Sequence, residues 1–196
     1  EIIRSTAEIC ESQLGDAGQA FYWWLRAYMD DPLSETVNEQ LDRLAELTQE
    51  WGYIVDVGEQ VLENPELNQD VRLAVLLRSG QVLDRRMNDT ARAIVAYNKV
   101  LAINPEHAAA LQALDRLYTQ ANEREALADI LQRRIKTTMD GEVLVDLEMR
   151  LAAAYEQWLA NPEAAIAAYN RAIDIDASNM KALERLEALY LSARRW

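Results

Sequence analysis

Two stretches decide how this chain is read: AIVAYNKVLAINPEHAAALQALDRLY at 93–118 and AIAAYNRAIDIDASNMKALERLEALY at 165–190. They align without a gap at a separation of 72 residues, and 11 of the 26 positions are identical, among them Ala93/Ala165, Tyr97/Tyr169, Leu111/Leu183, Leu114/Leu186, Leu117/Leu189 and Tyr118/Tyr190. Most of the shared residues are apolar or small. Ile94, Tyr97, Val100 and Leu101, then Leu111, Leu114, Leu117 and Tyr118, return at helical spacing, so each copy predicts two amphipathic helices. Between them lies INPEHA (103–108), where Pro105 ends one helix and opens the next; in the second copy Asp176 or Ser178 is the expected cap. One hairpin of this size cannot bury its apolar faces alone, so copies must stack.

Working outward, 123–137 and 143–159 are again periodic, so the 72-residue period holds two hairpins. Shifting the second of these back by 72 lands on 71–87, with Gly80 under Ala152 and Leu83 under Tyr155. The spacing predicts helices near 2–13, 17–30, 34–49, 51–63, 66–86, 90–103, 106–120, 123–137, 142–159, 162–175 and 178–193. These group as hairpins at 2–30, 34–63, 66–103, 106–137 and 142–175 with a terminal helix at 178–193, read as one repeat domain over 1–196. A plain helical bundle is the rival, but a bundle does not require a gapless echo.

The pattern resembles the tetratricopeptide repeat (TPR) family, whose second helices carry a small residue, an aromatic four later, another small residue three later and a proline five later. Ala20, Trp24, Ala27 and Pro32 fit throughout, with Leu14-Gly15-Asp16 as the inter-helix turn. Ala93, Tyr97, Val100 and Pro105 fit with one enlarged residue; Ala165, Tyr169 and Ala172 fit without the proline. First helices show Leu151, Ala152 and Tyr155, and more loosely Ser79, Gly80 and Leu83. The hairpins at 34–63 and 106–137 are degenerate, because Leu127 and Arg134 stand where small residues are usual. The resemblance implies an all-α superhelical solenoid of antiparallel hairpins, about eleven helices, that serves as a protein-binding scaffold. An architectural or regulatory segment of a larger protein is the alternative role.

Composition agrees with helices. The 196 residues are 50% hydrophobic, with four prolines and six glycines. No apolar run approaches the roughly 18 residues of a membrane span, and no basic-then-apolar leader opens the chain, so no membrane insertion is expected. The start without Met, already in helical pattern, points to a piece of something longer. The compartment is not fixed by these features, with the cytoplasm the leading expectation.

Chemistry is hard to find. Cys10 is the single cysteine and His107 the single histidine, which leaves no disulfide and no thiolate or His-pair metal site. Cys10 reads as a small apolar helix residue and His107 as a solvated residue of a helix's first turn. No phosphate-binding glycine loop and no calcium loop occurs, so neither cofactor nor catalysis is expected. Asn88-Asp89-Thr90 matches a glycosylation sequon, but Asp89 is more plausible as a helix cap. Arg133, Arg134 and Lys136 read as a solvated basic face rather than a nucleic-acid site.

Charge is uneven: residues 1–63 hold 14 acids and three bases, net −11, against a whole-chain net of −13. An acidic end repels nucleic acid and steers a basic partner. In the family the first helices line the concave face. Here that face begins with Glu39, Asp42, Glu46, Gln49 and Glu50, followed by Gln81, Asp84 and Arg85, then Gln112, Arg116, Thr119 and Gln120, and Glu156 with Gln157. Carboxylates there argue against the family's clamp for C-terminal carboxylates. Glu39, Asp42, Glu46 and Glu50 are spaced to share one helical stripe. In FYWW (21–24) the four positions span about 300° of a helix, so Phe21 and Trp24 share the core stripe with Tyr28, leaving Tyr22 and Trp23 to cover an adjacent helix, the leading expectation, or a partner. The candidate partner-binding residues are therefore Glu39, Asp42, Glu46, Glu50, Tyr22 and Trp23, and the expected partner is a protein or peptide with a basic segment. Leu183, Leu186, Leu189, Tyr190, Leu191 and Trp196 lack a polar cap, so that end is expected to continue into further repeats or to self-associate.

Overall fold

The computed structural model describes residues 1–193, so Trp196 lies outside the described residues. Eleven α-helices and no strand occur among the described residues. They are α1 Ile2–Ser12, α2 Ala17–Asp30, α3 Glu35–Thr48, α4 Trp51–Leu62, α5 Gln69–Arg85, α6 Thr90–Ile103, α7 Ala108–Ala121, α8 Arg124–Thr137, α9 Gly141–Gln157, α10 Pro162–Ile175 and α11 Met180–Ala193. The fold is all-α, built of antiparallel helical hairpins of the TPR kind. Shifted by 72 residues, α5, α6 and α7 coincide with α9, α10 and α11 at both ends. No helix among the described residues is long and apolar enough to cross a membrane.

The ends of the helices follow from short polar side chains. Asp16, Asn68, Asp89, Asp140 and Asn161 each accept a hydrogen bond from a backbone N–H in the first turn that follows, which satisfies donors the helix cannot. Gly15, at φ +65°, makes the left-handed turn before Asp16 that a side chain would resist. Three expectations need correction. The cap of α11 is Asn179, whose Oδ1 accepts from Ala182 N at 3.1 Å, while Asp176 turns instead onto Ser178. His107 is itself a cap, its Nδ1 accepting from Ala110 N at 3.4 Å, and Pro105 lies between the helices without opening either.

The chain divides into two compact units, Glu1–Pro105 and Glu106–Trp196. In the first, α1 packs on α2, α2 on α3 and α4, α4 on α5, and α5 on α6. Phe21, Trp24, Tyr28, Leu41, Leu44 and Ile54 are buried, and Cys10 joins them as a free thiol. Gly80 lets α6 come close: a Cβ there would stand 2.9 Å from Cε1 of Tyr97, inside van der Waals contact. In the second unit, α7 through α10 each pack on the next helix, with Ala152, Ala165, Ala168, Tyr169, Ala182, Leu186 and Leu189 in one apolar cluster.

Tyr28 is 1% exposed, and burial pushes its hydroxyl up to about 12, with the Arg78 guanidinium partly opposing. A raised folded value stabilises the neutral form. That contribution is complete below the ordinary tyrosine value of about 10 and is lost as pH rises toward the folded value. Denaturation midpoints measured from pH 9 to 12 should therefore fall steeply above pH 10, and Tyr28→Phe should flatten the fall. An equal fall in both proteins would place the titrating group elsewhere.

Candidate protein-binding face on α3

Helix α3 is held by Val37, Leu41, Leu44 and Ala45, all buried, and is opened by Ser34, whose hydroxyl accepts from Val37 N at 3.5 Å. That inner stripe turns Glu39, Asp42 and Glu46 outward, where all three are exposed. Glu50 leaves the stripe. Gln49 takes a left-handed conformation at φ 61° that stops α3 at Thr48, and Glu50 stands at the start of α4 instead. The one-helix row of four acids expected from spacing is thus a row of three plus a neighbour.

The acids do not stand alone. Asp42 Oδ1 accepts from Arg78 Nη2 at 2.8 Å, and Glu46 Oε2 accepts from Arg86 Nη1 at 3.0 Å, Arg78 lying on α5 and Arg86 capping its C-terminus. Arg78 also donates to Asn38 O at 3.3 Å and lies 5.8 Å from the Tyr28 ring centre, and Arg86 lies 4.5 Å from that of Trp51. Glu46 and Arg86 are 59% and 47% exposed, so their pair is worth about 0–1 kcal/mol and yields readily to a competing cation, whereas Arg78 is only 16% exposed and is held more firmly beside the 51% exposed Asp42. Glu39 and Glu50 make no ion pair among the described contacts. The arginines were not read from the sequence. Their signal was partly there, since Arg78 and Arg86 stand eight residues apart along α5 and its C-cap, about two turns, as Asp42 and Glu46 stand about one turn apart on α3.

Tyr22 and Trp23 sit on α2, outside the core formed by Phe21, Trp24 and Tyr28. Their rings meet edge to face at 5.8 Å and 77°, and Tyr22 is 59% exposed. No described contact joins this pair to the acids of α3. The remaining residues of the expected face are dispersed. Gln112, Arg116, Thr119 and Gln120 are exposed on α7; Asp84 is buried on α5; Glu156 accepts from Arg185 Nε at 3.2 Å and from the Tyr169 hydroxyl at 2.9 Å.

The second unit holds its own acids more tightly. Asp115 of α7, 3% exposed, accepts from Arg134 of α8 and from Arg150 Nη1 of α9, the latter at 2.9 Å. Glu148, 2% exposed, takes both oxygens to Arg171, at 2.6 and 2.8 Å. Of the basic run, Arg134 departs from the solvated face expected, because it clamps a buried acid; Arg133, paired at the surface with Asp129, and the exposed Lys136 keep to it. Arg78 maps onto Arg150 under the 72-residue shift, and each reaches an acid two helices earlier, Asp42 on α3 and Asp115 on α7, although these acids stand one position out of register and only Asp115 is buried. Among the described residues no group of three or more His, Cys, Asp and Glu is gathered to hold a metal ion.

Residues 73–107 and 149–179 match the sequence profile described as Tetratricopeptide repeat. A tetratricopeptide repeat protein from Parabacteroides merdae superposes with a TM-score of 0.50 over 98% of this chain and 73% of its own, at 16% identity. A structure titled as the MamA protein aligns at 20% identity over 88% of this chain and 84% of its own, TM-score 0.49. YrrB, titled a TPR protein with an unusual peptide-binding site, aligns at 16% identity over 94% and 90%, TM-score 0.48. No curated protein sequence matches the chain. The family resemblance seen in the sequence holds at the two matched segments, and the structural likeness establishes the fold.

Proposed function

We propose that this chain is a protein-interaction scaffold that works by binding rather than by catalysis, and that α3 engages a basic segment of its partner. The observation that carries the reading is the outward row Glu39, Asp42 and Glu46 on a stretch with 14 acids and three bases, where only two of the row's carboxylates are matched, and those by exposed pairs. Lysines or arginines of a partner would take the place of Arg86 on Glu46, share the exposed carboxylate of Asp42 with Arg78, and add pairs to Glu39 and Glu50. Electrostatic gains of this kind act chiefly on association rate and on the choice of partner. Tyr22, exposed, and Trp23, half-buried beside it, supply the residue types that anchor interfaces.

Reversal at Glu39 and Glu50 tests this most cleanly, because it disturbs no internal ion pair. The Glu39→Lys, Glu50→Lys variant should keep the circular dichroism of the parent while affinity for a lysine- and arginine-rich peptide falls about tenfold at low salt. Amide shifts on titrating the parent should gather at 39–50. Shifts spread evenly over every acidic stretch, or unchanged affinity in the variant, would reduce α3 to a solvated helix face.

A further inference from the structure

Gln132 and Ile135 of α8, Leu151 and Tyr155 of α9, and Ala164 and Arg171 of α10 line a cavity of about 420 Å³ within the second unit. That volume lies in the roughly 300–1,000 Å³ range of pockets that hold ligands. The first unit carries a copy of the place. Under the 72-residue shift Ala164 falls on Arg92 and Ala167 on Val95. The buried Leu127, Ala128 and Leu131 of α8 align with Ile54, Val55 and Gly58 of α4, which sets Gln132 on Glu59. There the gap is bridged from within: Arg92 Nη2 donates to Glu59 Oε1 at 3.2 Å. In the second unit both members of the bridge are absent, and the α10 wall is cut back to alanine. The floor becomes apolar at the same time, since the buried Ser79 is replaced by the buried Leu151. Helices α8, α9 and α10 supply both walls and the floor, so a following hairpin, which in a stack touches only its neighbour, is not needed to complete the cavity.

The polar groups left open at the cavity are chiefly donors. Glu148 has both oxygens on Nε and Nη2 of Arg171, which leaves Nη1 uncommitted among the described contacts. The Tyr155 hydroxyl accepts from Gln132 Nε2 and keeps its own proton to donate. Lys136, exposed at the rim, makes no ion pair among the described residues. Glu148 and Arg171 cancel, so Lys136 is the uncompensated charge. We propose that this cavity receives an acidic, apolar segment of a partner protein. One large apolar side chain enters over Leu151, between Ile135 and the short side chains of Ala164 and Ala167, and a carboxylate beside it meets Lys136 and Arg171 Nη1. The same cations disfavour the basic segment assigned to α3, so the two surfaces take different segments. The inference shares the scaffold reading but not the α3 reading.

The probe is a capped, glycine-rich peptide carrying one phenylalanine followed by an aspartate, titrated into the isotope-labelled chain and followed by amide shifts. Shifts should gather at 132–136, 151–155 and 164–171 and leave 39–50 unmoved. Exchanging the aspartate for lysine, or the phenylalanine for alanine, should weaken binding about tenfold. Gln132→Glu with Ala164→Arg rebuilds the bridge of the first unit across the gap and should abolish the shifts while circular dichroism is unchanged. Lys136→Glu, at an exposed position, should transfer the preference from the aspartate peptide to the lysine peptide. Free phenylpropanoate supplies the ring and the carboxylate without a chain; if it binds as tightly as the peptide, the cavity belongs to a small organic acid and the partner segment is overturned. Shifts elsewhere, or shifts indifferent to both the rebuilt bridge and Lys136→Glu, overturn it too. The Glu39→Lys, Glu50→Lys variant should bind the peptide as the parent does, so failure here and failure at α3 are read separately.

Discussion

Tyr97→Ala should destabilise the first unit by about 3–5 kcal/mol, the loss usual for a large buried aromatic ring. The ring is 2% exposed and lies on Gly80, so its removal leaves a hole between α5 and α6 that neither backbone can close. Gly80→Ala is the converse. The new methyl would stand 2.9 Å from Cε1 of Tyr97, and overpacking of that kind costs about 1–3 kcal/mol. The lower figure is expected, because in the second unit Ala152 and Tyr169 coexist at the corresponding positions, both buried. Denaturant unfolding with hydrogen exchange on α5 and α6 reads both. A loss below about 1 kcal/mol for Tyr97→Ala would mean that the ring does not hold these helices together.

The second large effect is at Glu148. Arg171→Ala removes both donors from a carboxylate whose side chain is 3% exposed, and stranding a buried charge costs about 3–5 kcal/mol. The lower end is expected. Arg171 is itself 50% exposed and lines a cavity of about 420 Å³ beside Tyr155, so its loss lets some water reach the acid. The intact pair need not be favourable overall, because both groups lost hydration to form it. The chain contains the alternative: 72 residues earlier the same positions hold Leu76, buried, and Lys99, exposed. Glu148→Leu with Arg171→Lys should therefore unfold within about 1 kcal/mol of the parent. If Arg171→Ala is harmless, the carboxylate is solvated; if the double variant is as damaged as the single one, the pair is a net source of stability.

Helix positions were legible because two signals agreed, apolar periodicity and the gapless echo. The expected 17–30, 90–103 and 162–175 are α2, α6 and α10 to the residue. The FYWW split was legible for a similar reason: 100° per residue lets only Phe21 and Trp24 share a face with Tyr28, and these three are buried while Tyr22 is not. What escaped was polar. Asp176, Ser178 and Asn179 compete for one cap within a single turn, and propensity does not rank them. Arg134 looked solvated because its partner Asp115 is 19 residues away in sequence. Glu148 was not singled out, although the echo sets it on Leu76 and so marks a core position. The α3 row was overextended to Glu50 because helical spacing says nothing about where a helix stops, and Gln49 stops it. Repeat equivalence thus carries information about polar contacts that periodicity alone lacks.

The central claim is that the acidic face of α3 binds a basic segment of a partner protein. Its most direct measurement is the salt dependence of the affinity for that partner, once captured with the intact chain, compared between the parent and the Glu39→Lys, Glu50→Lys variant. Affinity for the parent should fall as ionic strength rises from low to above physiological, mainly through slower association, and the variant should bind weakly with a nearly flat salt response. Equal affinity for both proteins, unmoved by salt, would contradict the claim and shift attention to the aromatic pair Tyr22 and Trp23.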